Sequence, residues 1–323
     1  MKKIIYLLMI TLISIFTVGC ENKVDVDVVT TSYIGYDLAK NIAGNNLIIQ
    51  NIMPLGGEFH DFEPTPQNIR AINYSRLFIF LSLDLEPWVK NNIKQQNSLN
   101  LSESYEIDEH HDHGDNDNED KDHDHDLDDD HDHSTLHFWT DPIVYLQLIN
   151  VVLNRIIEID PGNAEMYRNK ANIYTKRINE LHTEMDTFML DKWDSQIFLA
   201  GHNSMSNFAE RYHLDIRSII KDYKPNADLT GPQLTSFKEE IIADDIHYIF
   251  TEELVEPRVA NKLKEILEAQ NYSLTLLELH GYHNISQNQF KEGITYADLF
   301  RQNIINIKHA LSNWSKWCYC KLW

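Results

Sequence analysis

Short apolar runs and longer 3.6-periodic runs take turns along this chain. Val24–Thr31 (VDVDVVTT) alternates polar and apolar positions and is rich in β-branched side chains, which predicts a strand. A helix follows over Tyr36–Ala43, closed by Gly44, and then a strand over Leu47–Met53. Gly and Pro punctuate Pro54–Pro66, which reads as a loop. Gln67–Tyr74 is helical, LFIFL at Leu77–Leu81 is a buried strand, and Pro87–Gln95 is helical again. Strands alternating with helices imply βαβ units and a mainly parallel sheet.

Beyond Asp141-Pro142 the period changes. Ile143–Ile159 is an apolar helix that stops before Asp160-Pro161-Gly162. Next, Ala164, Tyr167, Ala171, Tyr174, Ile178, Leu181, Met185 and Phe188 recur at spacings of three and four, a continuous seam on one helix face. That helix is about 36 Å long, enough for a strut between two lobes. The alternation then resumes, with strands at Gln196–Ala200, Asp215–Ile220, His247–Phe250 and Leu274–Leu279. Helices are expected at Met205–Tyr212, Gln233–Ala243, Arg258–Gln270 and Ala297–Leu311. The expected fold is α/β, with two lobes, each a mainly parallel sheet flanked by helices, joined by one long rigid helix. Expected boundaries are 21–142 for the first lobe, 143–190 for the linking helices (strut 162–190), 191–312 for the second lobe and 313–323 for a tail.

Charge adds a second theme. The 323 residues carry a net charge of −22, and residues 108–133 supply −13 of it from fourteen acidic residues and one lysine. That segment, DEHHDHGDNDNEDKDHDHDLDDDHDH, also holds seven of the sixteen histidines: His110, His111, His113, His123, His125, His131 and His133. One leucine and no aromatic residue cannot build a core. The balance argues against nucleic acid, whose phosphates would be repelled, and suits cations. Imidazole and carboxylate both ligate divalent first-row metals, so the segment reads as an auxiliary loop that gathers metal weakly and reversibly.

Residues 1–20 read as an export signal, with Lys2 and Lys3 ahead of an apolar run from Ile4 to Val18. Thr17-Val18-Gly19-Cys20 is similar to a bacterial lipobox in which Cys20 would be acylated, although Thr17 stands where such boxes usually carry Leu. The remainder is therefore expected outside the cytoplasm, tethered to the cell membrane. Cys318 and Cys320 lie in the tail WCYCKLW; one residue apart, they would form a strained disulfide, and none is predicted.

Ligands of open α/β sheets bind beyond the carboxyl ends of strands. His60 follows the second strand, His137 stands where the acidic loop rejoins the fold, His202 lies beyond the first strand of the second lobe, and His280 and His283 follow its last. These positions converge only if the lobes face each other.

Several segments together resemble a known family. GGEFHDFEPTPQN (56–68), SLDLEPWV (82–89), HFWTDP (137–142) and GHNSMSNFAERYHL (201–214) are similar to segments of the zinc- and manganese-binding solute-binding lipoproteins of ABC transporters, the ZnuA-like proteins. IFTEELVEPRVANKL and GITYADLFRQNIINI resemble their second-lobe segments. The resemblance covers nearly all of residues 24–311. It implies two α/β lobes, a metal between them, and delivery of that metal to a membrane permease. Carried over by position, the first three ligands fall on His60, His137 and His202. The family uses a carboxylate in the last strand-end loop; this chain reads LELHGYHNIS there, so His283 is the fourth choice, with His280 and Glu278 as alternates.

An imidazole-rich shell suits tetrahedral Zn²⁺, whereas Mn²⁺ favours more carboxylate oxygen, so zinc is expected ahead of manganese. A receptor closes its shell with protein atoms, while a zinc hydrolase leaves a position for water beside a general base. Asp61, Glu63 or Glu278 could play that base, but the sequence has no HExxH. A metal-storage or adhesin lipoprotein built around the acidic loop is the other alternative. A monomeric, non-enzymatic zinc receptor is the expectation.

Overall fold

The computed structural model describes residues 26–57, 62–93, 97–105, 136–193, 195–218 and 230–312. The signal segment with Cys20, the histidine-rich loop with its seven histidines, His60 and the Cys318/Cys320 tail lie outside the described residues.

Two four-stranded sheets share one topology. In the N-lobe, β1 (Val28–Thr30), β2 (Ile49–Asn51), β3 (Leu77–Phe80) and β4 (Ser98–Asn100) are ordered β2-β1-β3-β4. In the C-lobe, β5 (Ser195–Leu199), β6 (Leu214–Ser218), β7 (Tyr248–Thr251) and β8 (Thr275–Glu278) are ordered β6-β5-β7-β8. Every neighbouring pair is parallel. The expected α/β class is what the chain adopts.

The helices are α1 (Tyr33–Ala43), α2 (Pro66–Tyr74), α3 (Val89–Asn92), α4 (Pro142–Ile159), α5 (Ala164–Met189), α6 (Ser206–Arg211), α7 (Gly231–Ala243), α8 (Arg258–Glu268), α9 (Gln287–Glu292) and α10 (Tyr296–Leu311). Four differences from the pattern have local causes. Helix α1 starts at Tyr33 and not Tyr36, because the Ser32 side chain caps it by accepting the Gly35 N–H. The helix expected at Pro87–Gln95 is the single turn α3, and residues 94–95 lie outside the described ones. Strand β4, Ser-Leu-Asn, is too short and polar to show a period. Helix α9 is announced only by its capping box, Ser286 with Gln289.

The strut is α5, about 39 Å long. Its buried seam runs Tyr167, Ala171, Tyr174, Ile178, Leu181, Met185 and Met189. Its last step is four residues, so Met189 takes the place expected for Phe188. Phe188 is half-buried, and the ammonium groups of Lys192 and Lys308 lie over its ring at 5.1 and 5.5 Å. Helix α4 is apolar and long enough to pass for a membrane span, yet Tyr145, Leu148, Ile149, Val152 and Ile156 are buried in the core.

One hydrophobic cluster runs from Val28, Leu77 and Ile79 of the N-lobe through α4 and α5 to Leu199, Phe208, Tyr282, Tyr296 and Ile304 of the C-lobe. Separate clusters line the C-lobe sheet (Phe198, Ile249, Leu263) and the N-lobe sheet (Val29, Phe78, Phe80). A core that crosses the lobe junction resists large rigid-body opening. At its centre the buried Asp37 carboxylate of α1 accepts from the Tyr145 hydroxyl (2.6 Å), the Tyr174 hydroxyl (2.5 Å) and the Tyr296 N–H (3.1 Å). Those donors belong to α4, α5 and α10, so one carboxyl ties the N-lobe, the strut and the C-lobe together.

Candidate metal centre

His137 stands before a 3-10 turn, Phe138–Thr140, whose closure is local: the Thr140 N–H and hydroxyl both donate to the His137 carbonyl, at 3.0 and 2.9 Å. The next residue, Asp141, caps α4 through the Ile143 N–H at 2.8 Å, and Pro142 follows at the first helical position. The same short segment reaches the other lobe twice. Trp139 Nε1 donates to the Gly281 carbonyl at 2.9 Å, and the Arg211 guanidinium of α6 grips both Asp141 oxygens, the shortest contact being 2.7 Å. With its flanks pinned on both lobes, His137 is 97% removed from solvent, at 3% exposure.

Across the junction, His202 follows β5. Its backbone N–H donates to the Glu252 carboxylate, which stands just beyond β7. A Cβ on Gly201 would lie 2.2 Å from Glu252 Oε1, so a larger residue there would push the Glu252 side chain aside. The His137 and His202 rings lie 5.6 Å apart, centroid to centroid. Two imidazoles sharing a tetrahedral zinc with bonds of 2.0–2.1 Å hold their centroids about 5 Å apart, so the pair is spaced to take one ion between them.

The loop after β8 carries His280 and His283. The buried amide of Asn303 (α10) fixes its base, accepting the His280 N–H at 2.9 Å and donating to the His280 carbonyl (2.9 Å) and the Tyr282 hydroxyl (2.7 Å). Glu253, whose side chain is 3% exposed, projects under this loop from the end of β7. Its Oε2 accepts the Gly281 N–H at 3.0 Å, while Oε1 lies 3.4 Å from His283 Nδ1 and 3.6 Å from His280 Nδ1. Burial works against the Glu253 carboxylate, but the His280 and His283 charges and the Gly281 N–H outweigh it and lower its pKa. Burial pushes His280 down, towards the neutral imidazole.

The first-ligand loop is anchored to the same place. Asn284 Nδ2 donates to the Pro54 and Gly57 carbonyls at 3.1 and 2.7 Å, and the Gly56 N–H donates to the Ile285 carbonyl at 2.9 Å. Gly57 is three residues ahead of His60, which itself lies outside the described residues.

Of the expected ligands, His137 and His202 are brought together, and His280 and His283 converge on Glu253. Glu278 lies in β8 and is exposed. Among the described residues, no three His, Cys, Asp or Glu side chains form a group that could hold a metal ion. Sequence reasoning missed Glu252, Glu253, Gly281 and Asn303. The signal for the first two was available, since HYIF-TEE places two carboxylates directly after a buried strand.

Two lobes of parallel sheet on a long connecting helix, with an imidazole ahead of α4 on one side of their junction and imidazoles and carboxylates at strand ends on the other, fit the class of two-lobed solute-binding proteins with a cation as the solute. The chain belongs to the ZnuA family, zinc-uptake complex component A, periplasmic, whose profile matches residues 28–310. It is 27% identical over 296 residues to the high-affinity zinc uptake system protein ZnuA of Bacillus subtilis, covering 88% of this chain and 87% of that protein. It is 26% identical over 331 residues to the zinc-binding protein AdcA of Streptococcus pyogenes; the match takes in 95% of this chain but only 61% of AdcA's length. In fold it is similar to the metal-dependent lipoprotein YcdH of B. subtilis (TM-score 0.70, 22% identity, 88% of this chain and 98% of that one). The Zn(II)-bound ZnuA-like domain of AdcA from Streptococcus pneumoniae is equally near (TM-score 0.70, 19% identity, 88% and 98%). Zinc is thus the ligand that the relatives support, as the ligand chemistry suggested.

Proposed function

We propose that this chain is the extracytoplasmic zinc receptor of an ABC-type importer. It captures one Zn²⁺ between its lobes on His60, His137, His202 and His283 and hands it to a membrane permease. The observation that carries the reading is the His137–His202 pair, one imidazole from each lobe, at the separation one zinc ion requires. Neutral imidazoles replace the water shell of the ion, and contacts from both lobes favour the closed arrangement over an open one. The shared core and the Asp37 clasp keep that closure small. Cys20 would tether the protein by lipidation, and the histidine-rich loop would raise zinc concentration near the cleft. The family consists of binding components, and no catalytic step is assigned to the site.

The test is the metal content and zinc affinity of the purified domain from residue 21 onward, by chelator competition. One zinc per chain is expected. His137→Ala and His202→Ala should each weaken binding by more than about 100-fold, beyond what loss of a supporting contact does. Undiminished binding in both variants would sink the reading.

A further inference from the structure

We infer that Glu253 is a positioning residue for His283: its Oε1 accepts a hydrogen bond from the His283 Nδ1–H, which keeps the proton there and leaves Nε2 of that ring, and not of His280, to face the metal. The inference rests on the receptor reading above and deepens it.

The argument begins with a buried oxygen that lacks a donor. Glu253 Oε2 is satisfied by the Gly281 N–H at 3.0 Å, but Oε1 has no hydrogen-bond partner among the described residues. Such an atom is costly when buried, so its nearest polar neighbours matter. Two Nδ1 atoms lie near it, of His283 at 3.4 Å and of His280 at 3.6 Å.

These two nitrogens are not equivalent. His280 Nδ1 accepts the Tyr282 backbone N–H at 2.9 Å, so a lone pair points there and the ring proton of neutral His280 sits on Nε2. His280 therefore has no Nδ1 proton to offer Glu253, and its Nε2, buried with no hydrogen-bond partner among the described residues, carries the proton and offers a metal no lone pair. His283 Nδ1 has no other hydrogen-bond partner among the described residues. Of the two rings it alone can serve Oε1, and a proton on Nδ1 leaves the Nε2 lone pair free. Metal-bound histidines are typically oriented by a carboxylate in this manner. At 3.4 Å the contact is longer than a formed N–H···O bond; a small turn of the ring closes it.

The neighbourhood guards this contact. A Cβ on Gly281 would lie 3.2 Å from His283 Nδ1, 3.3 Å from Glu253 Oε1 and 2.7 Å from Ser204 Oγ. Any side chain there would wedge apart the pair that has to meet. The carbonyl of Gly281 holds Trp139, two residues from His137, so the turn after His137 and the Glu253 carboxylate are both braced by one residue, through its carbonyl and its N–H.

The decisive measurement is the tautomer of each imidazole in the zinc-loaded, ¹⁵N-histidine-labelled domain. His283 should show a protonated Nδ1 and a metal-bound Nε2, and His280 a protonated Nε2 with no metal bound. This needs no substitution and so does not depend on how a variant folds. Beside it, Glu253→Gln should weaken zinc binding about 10–100-fold in the parent and leave affinity almost unchanged in a His283→Ala background, since Glu253 acts through that ring. A His283 ligated through Nδ1, a metal-bound His280, or an equal loss in both backgrounds would overturn the inference. If the parent takes up no zinc, the receptor reading fails and this one with it. If His137→Ala and His202→Ala abolish binding while Glu253→Gln changes neither affinity nor tautomer, only this inference fails.

Discussion

The two lobes share one sheet order and spend their buried polar groups differently. In the N-lobe, the buried carboxyls serve the scaffold. Asp37 clasps α4, α5 and α10, and Glu86 Oε2 accepts the Leu81 and Ser82 N–H groups at 2.6 and 3.0 Å, fixing the end of β3. In the C-lobe, the carboxyls at the end of β7 serve the imidazoles: Glu252 holds the His202 backbone and Glu253 faces His280 and His283. The N-lobe strands β1 and β3 are fully buried, whereas β8 reads half-buried to exposed. Identical topology thus supports a lobe that is locked into the shared core and a lobe whose loops carry adjustable polar contacts. A carboxylate's role follows from what it faces: helix donors for Asp37, the N–H groups at the end of β3 for Glu86, and histidine rings for Glu253.

That contrast can be broken most forcefully at Asp37. Asp37→Ala leaves two tyrosine hydroxyls and the Tyr296 N–H without their acceptor in the core, and should cost about 3–5 kcal/mol in urea unfolding. A loss below about 1 kcal/mol would show that the clasp does not hold the lobes.

Glu86 comes next, through pH. Burial pushes its carboxyl up to about 7 from 4.5, so the folded protein binds this proton more tightly than the unfolded chain does. Its contribution is complete below about pH 4.5 and is lost as pH rises through about 7. Glu86→Gln should flatten that segment of the stability–pH curve. Above pH 8 the variant should be more stable than the parent, by on the order of 3 kcal/mol. An unchanged slope between pH 4.5 and 7 would place the buried proton elsewhere.

The smallest effect is expected at the bridge between lobes. The Arg211–Asp141 pair has side-chain exposures of 29% and 10%, so solvent screens part of it. Arg211→Ala should cost about 1 kcal/mol in stability and weaken zinc binding less than Glu253→Gln does. A larger loss of affinity than of stability would mean that this pair, and not Asp37, sets the lobe register.

Much of this molecule is written locally. The three-and-four spacing of α5 needs only helical periodicity, and the alternation of β-branched runs with amphipathic runs needs only pleat and pitch. The expected ligands follow from histidines placed just after apolar runs. Features shorter than two periods escaped: β4 and α9 are three and six residues long. At the seam's end Met189 is the buried residue, and Phe188 stays half-buried beneath the Lys192 and Lys308 ammonium groups.

Other properties exist only once the chain has folded back on itself. His280 Nδ1 accepts the Tyr282 N–H, and His283 Nδ1 lies 3.4 Å from a Glu253 oxygen thirty residues away along the chain. His137 and His202 come within 5.6 Å, ring to ring, across a junction that the Trp139–Gly281 and Asp141–Arg211 contacts bridge. Hydrophobic patterning acts between neighbours in sequence, so the residue order alone determined the elements and the kinds of ligand available. Hydrogen-bond geometry and burial act between neighbours in space, so only the tertiary structure decided which rings meet, which carboxylate orients them and which nitrogen is left to receive a metal.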